Sequence, residues 1–477
     1  MMLNFNPDIF REYDIRGIAD RDLTDPVIEL LGRAFSEYLR PSGVTTVTIG
    51  YDARLSSPRL RDALTRGLIA AGLNVIDIGL CPTPALYFSL YNLKCGAGIM
   101  ITGSHNPAEF NGFKLCIGKD TIYGGEIHKL RQIMEKVRAS KNVPQTSAGT
   151  GLLSQHPIIS DYAGHLKSLF REFRDAPVKV VLDSGNGTAG LVAPEVVRAM
   201  GCEVIELYSE PDGRFPNHHP DPTIPKNLET LIRTVTTERA DLGIAFDGDS
   251  DRIGVVDEQG AVLWGDQLMV LFARDILQAI PGATFVSEVK CSQTMYDDIR
   301  KHGGNAIMWK TGHSLIKAKM KETGASLAGE MSGHIFFADR YFGYDDAIYA
   351  ACRVVELLKK IRLRMKHKEP FSTLIADLPK TFNTPEIRFD CPDALKFKVV
   401  EQIQRLYAAP ATFSIPVREV ITVDGIRAVF EKGWGLIRAS NTQPVLVMRF
   451  EAVDKAALEA IRALMEEQVS MVIAGLT

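Results

Sequence analysis

The sequence predicts an α/β chain of three related units, followed by a separate α+β module. Strand–helix–strand alternation with a glycine after each helix recurs three times, which is the grammar of parallel α/β units. In each unit a polar, motif-dense loop follows directly on a late strand. Open α/β sheets bind ligands there, outside the carboxyl ends of their strands. Beyond about residue 380 the grammar changes to short strands, turns and one long amphipathic helix.

In the first unit Thr46-Val-Thr-Ile-Gly50 reads as a strand, and a helical pattern runs from Pro58 to Gly72. Strands at Val75–Ile78 and Gly98–Ile101 follow, and the second runs into Thr102-Gly-Ser-His-Asn-Pro107. The second unit has a strand at Lys179–Asp183, the glycine-rich turn Ser184-Gly-Asn-Gly-Thr-Ala-Gly190, and a helix ending at Met200-Gly201. Its strands Val204–Leu207 and Asp241–Phe246 lead to Asp247-Gly-Asp-Ser-Asp-Arg252. In the third unit, strands at Thr284–Glu288 and Asn305–Trp309 flank a helix over Gln293–Arg300. Ala325–Ala328 then runs into Gly329-Glu-Met-Ser-Gly-His334.

The final module has strands at Glu386–Phe389, Arg418–Thr422, Ala428–Phe430, Gly435–Arg438 and Val445–Phe450, then a helix from Lys455 to Ala474. Boundaries near 155, 260 and 373 divide the chain into domains 1–154, 155–260, 261–373 and 374–477. Ala139 to Gly151 has the Ser, Thr, Gly, Lys and Gln content of a linker.

The totals agree. A length of 477 residues suits three or four domains of ~100–150 residues each. Hydrophobic content of 45% and charged content of 24% are ordinary globular values, so large cores can be buried. A net charge of −3 argues against general nucleic-acid binding, which needs a basic surface to replace counterions. No apolar run approaches the ~20 residues of a membrane span, and the amino terminus lacks the basic start and apolar stretch of a secretory signal. Seven scattered cysteines form no CxxC pair, which argues for a reducing, cytoplasmic setting and against a cysteine zinc site.

The chemistry concentrates in the loops. Asp247, Asp249 and Asp251 alternate along one short loop, so three hard oxygen donors can converge on Mg²⁺ or Ca²⁺. Glu258 stands where an EF-hand needs its last ligand. Arg252, however, stands where that loop needs glycine, and strand-like runs flank it, so the calcium hand is rejected and a Mg²⁺ site kept. Arg438-Ala-Ser-Asn-Thr-Gln-Pro444 follows a strand with one guanidinium and three small polar side chains, a set suited to phosphate oxygens. Glu330, Ser332 and His334 can hold neighbouring sugar hydroxyls, or His334 can be a histidine satisfied within the core. Ser104, read locally, is either a turn residue or a nucleophile delivered by a strand. Lys290, Lys310 and His313 lie at two other strand ends, and Phe10-Arg-Glu-Tyr-Asp-Ile-Arg-Gly17 adds two arginines and a tyrosine.

FREYDIRG, TGSHNP, DGDSDR, GEMSGH and RASNTQP stand in the order and spacing of the α-D-phosphohexomutases, and the chain resembles that family's bacterial phosphomannomutase/phosphoglucomutase branch from Phe10 to the last helix. The resemblance implies three related mixed-sheet α/β domains and a fourth domain around a central cleft. It implies a phosphoserine at Ser104, which with Asp247, Asp249 and Asp251 binds one Mg²⁺. His105 and Lys114 would lie near it, Lys114 and His334 become candidates for proton transfer, and Arg16 matches a ligand-contacting position counted with the catalytic residues. Arg252 would contact substrate, and Glu330 and Ser332 would hold sugar hydroxyls. Arg438, Ser440, Asn441 and Thr442 would bind the non-reacting phosphate, and Tyr13, Lys290, Gly312 and His313 match further ligand-contacting positions. Gln443 departs from the glutamate that relatives often carry. The implied activity is interconversion of hexose 1- and 6-phosphates of mannose or glucose, through a 1,6-bisphosphate that also primes the enzyme. The alternatives are a phosphoglucosamine mutase and a metal-dependent sugar phosphatase using the same serine.

Overall fold

The computed structural model describes residues 4–140, 151–172, 176–365, 368–408, 413–440 and 444–476. Its residues fold as two compact units, Met1–Leu268 with Ser332–Leu374, and Met269–Met331 with Ile375–Thr477. The linker expected over Ala139–Gly151 lies largely outside the described residues; Ala139 itself closes the helix Gly125–Ala139.

The repeat seen in the sequence is a repeat of topology. In the first sheet, Thr46–Tyr51 is flanked in parallel by Asn74–Leu80 and Ala97–Ile101. Phe110–Ile117 then returns antiparallel beside Ala97–Ile101. In the second sheet, Val178–Asp183 is flanked in parallel by Cys202–Leu207 and Leu242–Phe246, and Ile253–Asp257 returns antiparallel. In the second unit, Thr284–Glu288 is flanked in parallel by Asn305–Trp309 and Leu327–Gly329. In all three, the third of these parallel strands in chain order is the one whose carboxyl end carries the motif. The sheets are mixed because each motif loop is short, so the chain must return beside the strand it has just left.

Both faces of these parallel strands are covered. Ala97–Ile101 and Leu242–Phe246 are buried at every position and accordingly read as continuous apolar runs. The first core joins Leu31, Phe35, Val47, Ile49, Leu64, Ile99, Phe113 and Met134. Each such side chain contributes about 1.5–3 kcal/mol relative to exposure.

The last domain is an antiparallel meander, Val417–Ile421, Ile426–Phe430, Gly433–Ala439 and Val445–Ala452, with Ile387–Asp390 on the far edge. Helices Asp393–Ala408 and Lys455–Leu476 cover one face through Val399, Ile403, Ile461 and Met465. Within the second unit this sheet is bound to the third domain by a buried cation. The Arg427 guanidinium lies 3.7 Å from the Trp434 ring centre and donates to the carbonyls of Val289 (2.6 Å) and Cys291 (2.7 Å). All seven cysteines are free and buried, as expected of small apolar core residues. Among the described residues no helix is long and apolar enough to cross a membrane.

Candidate active site

Two strand ends of the first unit bring Ser104 and the aspartate loop together. Ser104 follows Ala97–Ile101 in a left-handed backbone conformation, φ +50°, which a non-glycine residue adopts only when its surroundings enforce it. The enforcing group is Arg54, just past the strand Thr46–Tyr51 and fully buried. Its guanidinium donates to the carbonyls of Ser104 (2.8 Å), Asn106 (2.6 Å), Pro107 (2.5 Å) and Phe110 (2.8 Å), and its Nε donates to Asp52 at 3.2 Å. Ser104 Oγ thereby sits 3.0 Å from Asp247 Oδ2 and 3.1 Å from His105 Nδ1.

Asp247, Asp249 and Asp251 are buried, and one oxygen of each lies within 4.8 Å of the others. Asp247 Oδ1 accepts from the backbone N–H of Asp251 (3.0 Å) and Arg252 (3.1 Å), which curls the loop. Lys114, on the returning strand, donates to Asp249 Oδ2 at 2.7 Å and to Asp251 Oδ2. Burial would lower the Lys114 ammonium's pKa, but Asp249 and Asp251 outweigh it and raise it, so Lys114 is charged. Burial first, then Asp251 and Asp249, push the Asp247 carboxyl well above the usual carboxylate range. Asp249 Oδ1 and Asp251 Oδ1 are buried and meet no hydrogen-bond donor among the described residues. Crowded carboxylates with orphaned oxygens fit a hard divalent cation, so the triad can bind a metal.

His334 approaches this loop from Ser332–Leu374, within the same unit. Its Nε2 accepts from Arg252 Nε at 2.8 Å, and its Nδ1 lies 3.1 Å from Asp345 Oδ2 and 3.6 Å from Asp251 Oδ1. With Nε2 accepting, Nδ1 carries the proton. Burial, then Arg252 and Arg16, hold the His105 imidazole well below its ordinary pKa and therefore neutral. Arg16 donates to Asn106 Oδ1 at 3.0 Å and pairs with Asp14, while Tyr13 and Ser332 are half-buried.

The second unit gathers the other expected residues. Glu330 Oε1 accepts from the Gly312 N–H at 2.7 Å, just ahead of His313, the first residue of the helix His313–Thr323. Lys290 Nζ lies 3.5 Å from Glu288 and 3.3 Å from Glu386. Burial would lower its pKa, but Glu288 and Glu386 raise it. Arg438, at the end of Gly433–Ala439, donates through Nε to Asp424 at 3.0 Å, and the Ser440 N–H donates to the Val445 carbonyl at 3.0 Å. Asn441, Thr442 and Gln443 lie outside the described residues.

Sequence reading passed over Arg54, Asp345 and Asp424. Arg54 had a signal, because Tyr51-Asp-Ala-Arg54 also follows a strand end. Asp424 and Gly425 form an Asp-Gly hairpin tip and read only as a turn.

Models of the phosphoglucomutase/phosphomannomutase family match in order: α/β/α domain I over residues 7–141, domain II over 160–260, domain III over 264–382 and the C-terminal domain over 386–468. The chain is 44% identical over 469 residues to a phosphomannomutase/phosphoglucomutase of Pseudomonas aeruginosa, covering 97% of this chain and 96% of the relative. It is 43% identical over 465 residues to a phosphoglucomutase of Neisseria meningitidis, with the same coverage. A phosphoglucomutase/phosphomannomutase family protein of Burkholderia thailandensis superposes with a TM-score of 0.89 at 38% identity, over 99% of both chains. With all four domains matched in order and relatives aligned over nearly the whole length, the chain belongs to the phosphoglucomutase/phosphomannomutase family.

Proposed function

We propose that the protein is a phosphohexomutase that interconverts the 1- and 6-phosphates of glucose and mannose, with Ser104 as the group that carries the phosphoryl. The observation that supports this most directly is Ser104 Oγ, 3.0 Å from Asp247 in a buried three-aspartate loop. Phospho-Ser104 transfers its phosphoryl to a sugar hydroxyl: the P–O bond to Ser104 breaks as the new one forms, a base takes the hydroxyl proton, and an acid protonates the leaving Ser104 oxygen. The resulting 1,6-bisphosphate turns end for end, returns its other phosphoryl to Ser104, and can also prime unphosphorylated enzyme. Asp247, Asp249, Asp251 and the phosphoserine would hold Mg²⁺, which would supply charge neutralisation at the transferring group.

The chain's own residues share the remaining work. Lys114, on the strand beside the aspartate loop, is a candidate for proton transfer and a counter-charge to Asp249 and Asp251. His334 is oriented by Arg252 and Asp345 for proton transfer, and neutral His105 faces the serine oxygen. Glu330 and Ser332 bind sugar hydroxyls, and Arg438 with Ser440, Asn441 and Thr442 binds the non-reacting phosphate. Tyr13, Arg16, Arg252, Lys290, Gly312 and His313 complete the substrate contacts. The reading includes the four-domain division near 155, 260 and 373. It also includes a cytoplasmic location, which the free buried cysteines support.

The test is direct. Purified protein primed with glucose 1,6-bisphosphate should convert glucose 1-phosphate and mannose 1-phosphate to the 6-phosphates. Ser104→Ala should lose both the activity and one phosphoryl mass in intact mass spectrometry. Release of inorganic phosphate faster than isomerisation, or an unchanged phosphoryl mass in the variant, would overturn the reading.

A further inference from the structure

We infer that Asp424 is a positioning residue for substrate phosphate: it fixes the Arg438 guanidinium against the Thr311–Gly312 loop. This rests on the proposed role of Arg438 in binding phosphate. One carboxylate oxygen carries the contact. Asp424 Oδ2 accepts from Arg438 Nε at 3.0 Å and from the backbone N–H of Thr311 at 3.0 Å. The three groups come from separate stretches of chain within the second unit: a hairpin tip, a strand end and the start of a helix.

The approach is built into the hairpin. Asp424 lies between Val417–Ile421 and Ile426–Phe430, and Gly425 follows it with φ +78°. A Cβ on Gly425 would stand 2.3 Å from the Ile437 carbonyl oxygen and 2.7 Å from Arg438 Cα, so only glycine lets the tip lie on Arg438. Gln404 secures the tip from the other side, donating to the Gly425 carbonyl at 2.7 Å.

The bond to Nε has a consequence for recognition. A guanidinium held at Nε keeps its plane and its terminal N–H groups in a set direction, which bidentate binding of a tetrahedral oxyanion requires. An arginine free to rotate would pay that ordering cost each time substrate bound. The Thr311 N–H shares the same oxygen, and Gly312, the next residue, donates to Glu330 at 2.7 Å. Asp424 therefore couples the position of the phosphate-binding arginine to that of the loop holding the hydroxyl-binding glutamate.

Steady-state kinetics of the full-length enzyme on glucose 1-phosphate and mannose 1-phosphate test this. Asp424→Ala should raise KM about tenfold, the loss expected of one hydrogen bond to a charged group, and leave kcat within about twofold. Asp424→Asn, isosteric and able to keep the Thr311 bond, should give a smaller rise in KM with an unchanged melting temperature. In an Arg438→Ala background, Asp424→Asn should have no further effect, because the group it positions is gone. Arg438→Ala raising KM while both Asp424 variants keep the wild-type KM would overturn the inference and leave the phosphate reading standing. A full additive penalty in the double variant would overturn it as well. Arg438→Ala leaving KM unchanged would remove the phosphate reading, and the inference with it.

Discussion

Ser104 and Arg54 form a working pair at the scale of single residues. The serine is legible because Thr102-Gly-Ser-His-Asn-Pro107 is contiguous, but its left-handed backbone is not, since the guanidinium that enforces it sits fifty positions earlier. A non-glycine residue in that conformation costs about 1–3 kcal/mol, which the four carbonyl bonds of Arg54 offset. Arg54→Met should therefore lower kcat by about a hundredfold or more, because a misplaced nucleophile loses its alignment for transfer. Arg54→Lys should not restore it, since one ammonium cannot serve four carbonyls from a planar fork. Wild-type kcat in Arg54→Met, measured on folded protein, would rule this out.

Among elements, the loops at strand ends support one another. Gly187, in the glycine-rich turn after Val178–Asp183, has its Cα hydrogens against the metal loop. A Cβ there would lie 2.7 Å from the Gly248 carbonyl oxygen and 2.9 Å from Gly248 Cα. Thr188 next to it donates its N–H to that carbonyl at 3.1 Å and meets Ser250 Oγ at 3.0 Å. Gly187→Ala should displace the aspartate loop and weaken Mg²⁺ binding about tenfold or more by calorimetry. Unchanged affinity would show that the loop is not braced there. The function of this turn was invisible in sequence, because a glycine-rich stretch after a strand also suits a free anion-binding loop. Here its backbone is spent on protein contacts.

A second junction of elements carries a pH signature. Asp346 is buried and accepts from Tyr162 OH (2.8 and 2.7 Å), Tyr341 OH (2.7 Å) and the Tyr349 N–H (2.8 Å). Burial nevertheless pushes its carboxyl pKa up to about 6. Its folded value lies above its unfolded one, so its contribution is greatest below pH ~4 and is lost as pH rises to ~6. The loss is roughly 2–4 kcal/mol at 1.36 kcal/mol per pKa unit. Asp346→Asn should flatten the dependence of unfolding free energy on pH between 4 and 6. A slope equal to wild type in denaturant titrations would contradict the assignment.

For the molecule as a whole, a metal bound at the aspartate loop should add to stability. The folded chain assembles Asp247, Asp249 and Asp251 within 4.8 Å, and the unfolded chain does not, so a cation that binds the native loop stabilises it by mass action. Mg²⁺ at about 100 times its dissociation constant should add about 2.7 kcal/mol, read as a rise in melting temperature that EDTA reverses. Asp249→Asn should abolish most of that rise. A metal-independent melting temperature in the wild-type protein would refute the site.

The sequence by itself determined the strand–helix repeat, the separate last module and the residues of the serine and aspartate loops. Each is written in local periodicity or in contiguous residues whose chemistry needs no distant partner. Glu330, Ser332 and His334 were readable as one motif, yet only the fold assigns Glu330 to one compact unit and Ser332 and His334 to the other. The tertiary structure alone decided that Arg54 holds the serine loop, that Asp345 orients His334 and that Asp424 holds Arg438. Those three charges sit in ordinary turns or strand ends. Arg54 and Asp424 act through hydrogen bonds and Asp345 through its charge beside His334, contacts that exist only once the strands have aligned and water has been excluded.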